Sequence, residues 1–351
     1  MTHTRHRPAR NWGARLHETL WWGMRAVVLE NELLRVTVLA GKGGDVVELL
    51  YKRRDLDFVW LAPGGARDPR DVAGGAADDV AAFHDHYQGG WQEVLPNGGA
   101  PGAHRGAALA QHGEVAGLPW DVRIVADEPG EVAVRLTVRA RRFPLRVAKT
   151  FRLLCGSPEL LVEEELTNES GVALEVMWGH HIVFGAPFLR PGHRITLPGG
   201  AEVIPHDTPV GPGGRRVRAG GPHRWPVVPA DGGGEVDLSV VPGYEEPSEM
   251  VYLTGLPTGR YEVTDPARRV GLGVRWDASV LPHLWMWQEL GASRDYPWWG
   301  QAYVVGLEPF AGLPTDGLAG AARNGTALTL EPHGERALWL SANVIDDEET
   351  G

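Results

Sequence analysis

Apolar and polar residues alternate with period two along much of this chain. Val132, Val134, Leu136 and Val138 interleave with Ala133, Arg135, Thr137 and Arg139. Leu145, Val147, Phe151 and Leu153 interleave with Arg146, Ala148, Thr150 and Arg152. The same rhythm runs through Val270–Asp277 and through Leu338, Leu340, Ala342 and Val344. Each stretch predicts a strand with one buried and one wetter face. The runs Arg25–Glu30, Leu33–Leu39 and Asp45–Trp60 predict hairpin strands, with a first turn at Glu30–Glu32. No segment sustains helical apolar spacing over a dozen residues; Ala76–Phe83 could form two turns. Residues 210–235, rich in Gly, Pro and Arg, read as a long surface excursion. The simplest account is an all-β protein of antiparallel sheets stacked as a large sandwich. It occupies residues 21–345 as one domain, with a flexible extension at 1–20 and a flexible tail at 346–351.

Composition supports that reading. The chain has 351 residues, of which 43% are hydrophobic, ample for a large core. Its 47 glycines and 27 prolines favour many short strands joined by turns. The formal net charge of −11 opposes binding to a nucleic-acid backbone, which needs a clustered cationic surface. The basic clusters Arg5–Arg10, Arg139–Arg142 and Arg215–Arg218 are short and read as solvated loops or strand edges. Cys155 is the single cysteine, so no internal disulfide forms, and it reads as an inert thiol in or near the core. No apolar run approaches a membrane span, and Met1–Trp12 has no apolar leader core. A cytoplasmic protein is expected.

Three separated side chains carry the candidate chemistry: His112, His181 and Glu308, each at the end of a strand-like run. Burial at a strand end would raise the pKa of Glu308 and suit it to take a proton near neutral pH. His180 and His181 alternate sides, so one faces the core and the other the opposite surface. Gly89–Gly99 is dense in indole, amide and carboxylate groups, with Trp91, Glu93 and Asn97 among them. Such groups recognise polyols through paired donors and acceptors and a flat apolar wall. Trp285 and Trp287 share a strand face, and Gln288 follows them. His84-Asp85-His86 could present two imidazoles to one side, but no third ligand accompanies them. No metal is expected, and no phosphate-binding glycine fingerprint indicates a nucleotide cofactor.

These pieces, taken in order, resemble the galactose mutarotase-like superfamily, the aldose 1-epimerases and their uncharacterised relatives. The matching elements are the Gly43–Leu50 hairpin, Gly90–Asn97, His112-Gly113 with Trp120, His181–Phe184, Glu308-Pro309 and the closing Leu328–Glu335 turn. The resemblance covers about residues 26–345. It implies a β-supersandwich and cofactor-independent interconversion of sugar anomers by ring opening at C1. Glu308 would be the base, His181 the acid, and His112 a group binding near C1 or the ring oxygen. Asn97, Trp91, Glu93, His180, Asp265, Trp287, Gln288 and Arg105 would bind substrate. The chain departs from the family where Gly98 follows Asn97 in place of an arginine, and Arg105 is the candidate replacement. Asp265 is a loose match for the family's substrate-binding aspartate.

Two other functions remain open at this level. One is a non-catalytic carbohydrate-binding protein on the same scaffold, with the tryptophans stacking on sugar faces. The other is a metal-assisted isomerase or lyase built on His84, His86 and a carboxylate. The partner is a small carbohydrate in the leading readings, and the tryptophan surplus could equally cover a homodimer interface.

Overall fold

The computed structural model describes residues 10–70 and 79–347. Residues 76–78 of the expected helix, residues 1–9 of the expected extension and residues 348–351 of the tail lie outside them. In chain order the principal strands begin with β1 (Arg15–Trp21), β2 (Met24–Glu30), β3 (Leu34–Leu39) and β4 (Asp45–Tyr51). Helix α1 (Asp79–His86) precedes β5 (Trp91–Val94). There follow β6 (Asp121–Glu128), β7 (Glu131–Arg139), β8 (Leu145–Leu154), β9 (Glu159–Asn168) and β10 (Gly179–Phe184). Next are β11 (Glu202–Pro205), β12 (Glu249–Thr254), β13 (Gly259–Asp265) and β14 (Val270–Trp276). The chain ends with β15 (His283–Leu290), β16 (Tyr303–Phe310), α2 (Leu318–Asn324) and β17 (Glu335–Asp346).

Two antiparallel sheets contain these strands. The larger has 12 strands in the order β1-β2-β3-β4-β5-β10-β16-β15-β12-β11, completed by His223–Arg224 at one edge and by Leu56–Asp57 beside β4. The smaller has eight, running from Arg194–Thr196 through β13-β14-β17-β9-β8-β7-β6. The inward positions of both, among them Val36, Val134, Phe151, Leu272 and Leu340, form one buried core. The period-two stretches thus fall where expected.

Several expectations change. Residues 15–20 belong to a strand rather than a flexible extension: β1 pairs with β2 along its whole length, from Arg15 opposite Glu30 to Trp21 opposite Met24. Trp22 and Gly23 both have positive φ (51° and 77°), which makes the two-residue turn whose twist matches antiparallel strands. At the other end β17 runs on to Asp346, whose carboxylate meets Arg54 at 2.8 Å. Cys155 is exposed, not in the core, because β8 ends one residue earlier; its thiol donates to Glu32 Oε1 at 3.1 Å. The 210–235 excursion is anchored: Glu249 accepts the backbone N–H groups of Arg216 and Val217, and Val217 and Val228 are fully buried. Pro309 does not end its strand, since β16 continues to Phe310.

One polar position interrupts the apolar face of β8. Lys149 is buried between the sheets, 3.0 Å from Glu93 of β5, and His180 of β10 lies 3.3 Å from Glu164 of β9. Trp178 Nε1–H donates to Glu93 at 2.6 Å, and Trp91 Nε1–H donates to His180 Nδ1 at 3.0 Å. Burial disfavours the charge on Lys149, but Glu93, Glu164 and Asp45 together outweigh it and hold its pKa above the ordinary value. These residues bolt β5 and β10 to the second sheet. Removing one partner strands a buried charge, so Lys149→Met is expected to lower stability by about 3–5 kcal/mol in urea denaturation. A loss below about 1 kcal/mol would mean that Glu93 does not depend on the ammonium.

Candidate active site

The strand that buries His180 turns His181 to the opposite face of the large sheet. Gly179 pairs with Phe310 and Val183 with Gly306, so His181 falls opposite Glu308 on the neighbouring strand. The ladder is interrupted between those points, where Pro309 has no N–H to give. His181 is also paired with Gln92 of β5, and Glu308 with Trp285 of β15. One row of side chains therefore crosses four strands, Gln92–His181–Glu308–Trp285, with the two ionisable groups adjacent.

His181 Nε2 lies 3.6 Å from Glu308 Oε1. Both residues are buried yet line a cavity of about 420 Å³. Gly306, two residues before Glu308 on the same face, leaves the carboxylate its room: a Cβ there would sit 2.6 Å from Oε1. Burial pushes Glu308 well above the usual carboxylate range and His181 down to about 4, a hydrogen bond from the imidazole to its own backbone offsetting part of the latter. On the other side of the ring, His181 Nδ1 shares a 3.4 Å hydrogen bond with the Tyr87 hydroxyl.

His112 enters from the loop after residue 97. Its ring stands edge-on to His181 with centroids 5.2 Å apart. It has positive φ (55°), and Gly113 (78°) could not carry a Cβ, which would fall 2.1 Å from the Leu95 carbonyl. Gly99 N–H donates to His112 Nδ1 at 3.2 Å, leaving Nε2 as the protonated nitrogen of the neutral ring. Burial, then the neighbouring His181 and His84 rings, hold His112 well below its ordinary pKa. Trp287 and Trp298, 5.6 Å apart, supply an aromatic wall, and Trp287 lies 5.9 Å from His181.

The structure thus brings Glu308, His181, His112 and Trp287 into one cavity. The other seven expected site residues lie elsewhere. His180, Glu93 and Trp91 face the inter-sheet cluster, as strand alternation requires. Gln288 also points away from the cavity, next in sequence to Trp287 but on the other face, where it accepts from Arg216. Asn97 is a loop clamp: it donates to the carbonyls of Ala100 and Ala110 and accepts Leu318 N–H at the start of α2. Arg105 is exposed and donates to the Ala173 carbonyl. Asp265 is on the smaller sheet, capping Ala267 and Arg268 and facing His193 at 3.8 Å.

The sequence reading missed Tyr87, Phe83 and Asp295, which also line the cavity. Phe83 and Tyr87 stack at 5.2 Å near the end of α1, a helix too short to show a pattern. The same helix separates His84 from His86: residues two apart point in nearly opposite directions. His84 lines this cavity and His86 a neighbouring one, so they cannot chelate one ion. Among the described residues, Glu93, Glu164 and His180 have ligand atoms within 4.8 Å of one another. That group does not suit a metal either. The Trp91 N–H occupies His180 Nδ1, which keeps the proton on Nε2, and the Lys149 ammonium already supplies the cation.

A family model described as Domain of unknown function (DUF4432) matches residues 21–219. The chain belongs to this family. No curated protein matches it. Solved structures do. A candidate aldose 1-epimerase from Klebsiella pneumoniae aligns with a TM-score of 0.72 at 15% identity, covering 95% of this chain and 88% of that one. A galactose mutarotase-like protein from Clostridium acetobutylicum aligns at 0.65 and 13% identity, covering 95% and 99%. A Synechocystis protein aligns at 0.63 and 18%, covering 91% and 95%. The fold is that of the galactose mutarotase-like proteins, as the sequence motifs implied. Among the described residues no helix is long and apolar enough to cross a membrane.

The role of Gly306 is open to test. Gly306→Ala is expected to keep the fold at a cost of about 1–3 kcal/mol, because the methyl must displace the Glu308 carboxylate. A crystal structure of the variant with Glu308 unmoved, or a change in melting behaviour within error, would contradict this.

Proposed function

We propose that this protein is an aldose 1-epimerase-like isomerase, interconverting the anomers of a free sugar by general acid/base ring opening without a cofactor. What carries the reading is the pairing of Glu308 and His181 across adjacent strands, 3.6 Å apart on the floor of a cavity sized for a sugar. The aromatic wall of Trp287 and Trp298 supports it, since indole faces pack against the apolar face of a pyranose.

Between the lowered pKa of His181 and the raised pKa of Glu308, the two buried groups hold one exchangeable proton between them. Burial keeps that proton on Glu308 and leaves His181 neutral when the cavity holds no charge. With a hemiacetal bound, the C1 hydroxyl gives its proton to the neutral His181, the C1–O5 bond breaks, and O5 takes the proton of Glu308, the reverse of the roles the resemblance implies. The aldehyde rotates about C1–C2, and the reverse sequence closes the ring from the other face. The pair ends with one proton, as it began. His112, neutral with its proton on Nε2, donates a hydrogen bond to an oxygen near C1 and steadies the charge that develops there.

Glu308→Gln removes the exchangeable group with little change of shape. It is expected to slow anomer exchange by about 10²–10⁴-fold, read by polarimetry or by magnetisation transfer between the α and β C1 protons. Equal rates for wild type and variant across a broad panel of free sugars would discard the proposal. Sugar binding without any wild-type exchange would leave a carbohydrate-binding protein instead.

The pH profile follows from the same pair. Below about pH 4 His181 gains a second proton and the pair has no base. Above the raised pKa of Glu308 the pair loses its proton and has no acid. The rate should therefore rise through about pH 4 and fall as Glu308 ionises. A rising limb near 6.5, the unperturbed histidine value, in place of about 4 would contradict the burial argument.

A further inference from the structure

A second cavity, of about 560 Å³, adjoins the first across α1. Phe83, Tyr87, Gln111 and His112 line both. Its floor is Lys42 and Gln92. Gln92 is the register partner of His181, so the two floors are neighbouring positions on one continuous sheet face, a single strand spacing of about 4.8 Å apart. Phe83, partly exposed and with its ring 4.8 Å from His112, stands in the wall between the chambers.

The chemistry of the second chamber narrows its occupant. The volume falls within the range of small-molecule sites and far exceeds what a single charged substituent needs. Lys42, Arg141 and Arg142 and the carboxylates Asp79 and Glu114 line it, and Asp45 lies behind Lys42. Lys42 is spoken for by Gln88 and by Asp45 at 3.7 Å, and Glu114 accepts the backbone N–H groups of Arg141 and Arg142. No net charge is left to favour an anion. Donors and acceptors in balance beside an aromatic wall are the requirement of an uncharged polyol.

We infer that the second chamber binds the next ring of a reducing disaccharide whose terminal ring occupies the Glu308 chamber. This rests on the isomerase reading and names its substrate class. The two rings lie on either side of Phe83.

The test compares anomer exchange of glucose and galactose with that of maltose, cellobiose and lactose, in wild type and in two variants that fill the second chamber. Ala82→Trp places an indole there from α1. Gly117→Phe does so from the opposite wall, where an added Cβ meets nothing within 4 Å. Wild type is expected to favour at least one disaccharide over its own reducing-end monosaccharide by tenfold or more in kcat/KM. Either variant should bring that ratio to about one, with thermal melting showing that it is folded. No disaccharide preference in wild type, a ratio unmoved by both folded variants, or a preference for hexose 6-phosphates over every disaccharide would overturn the inference. If wild type exchanges no anomers, the isomerase reading fails alone. Calorimetric titration of the same disaccharides against wild type and the two variants then still decides the second chamber, with binding lost on filling it as the supporting result and binding unchanged as the refuting one.

Discussion

The period-two geometry of a single strand holds this structure and its candidate chemistry together. β10 passes between two environments that want opposite things. On one side His180 must enter the inter-sheet space and meet Glu164, beside the Glu93–Lys149 pair. On the other side His181 must reach the cavity and meet Glu308. A slip of one residue would exchange the two imidazoles and bury a ring with no partner chosen for it. The buried ionic cluster therefore does more than fill space. It makes the correct register the one in which Lys149 meets Glu93 and His180 meets Glu164, and that register puts a carboxyl group and an imidazole side by side in the cavity.

Burial sets the proton inventory of the pair. The same loss of solvent raises a carboxylate and lowers an imidazole, so the two pKa values cross relative to their order in water. Between those two pKa values the pair is uncharged and carries one exchangeable proton. This suits a reaction that runs both ways over one intermediate. The interrupted ladder at Pro309 and the missing side chain at Gly306 give the carboxylate space without taking it out of the sheet.

Some of this was legible in the chain. Alternation gave the strands, and the order of His112, His181 and Glu308 among them suggested a shared site. Other residues misled for a definite reason. Trp91, Glu93 and His180 have the composition of a sugar site, and they do form a polar cluster, but on the wrong face of the sheet. Composition does not carry a sign for the face. Asn97 was attractive as a substrate group because it sits in a glycine-rich loop; its amide is consumed in holding that loop to α2.

What the sequence determined by itself is local: the period of each strand, the turns between them, and which pairs of neighbours must point apart. These follow from backbone geometry that each residue imposes on the next. Only the tertiary structure decided which strand lies beside which, and hence that His181 faces Glu308 over a distance of 127 residues, that Phe83 in an eight-residue helix and Tyr87 just after it wall the cavity, and that Asp265 is on the other sheet. Strand order is set by long-range burial and charge pairing, summed over the whole core, and no short stretch of sequence contains that sum.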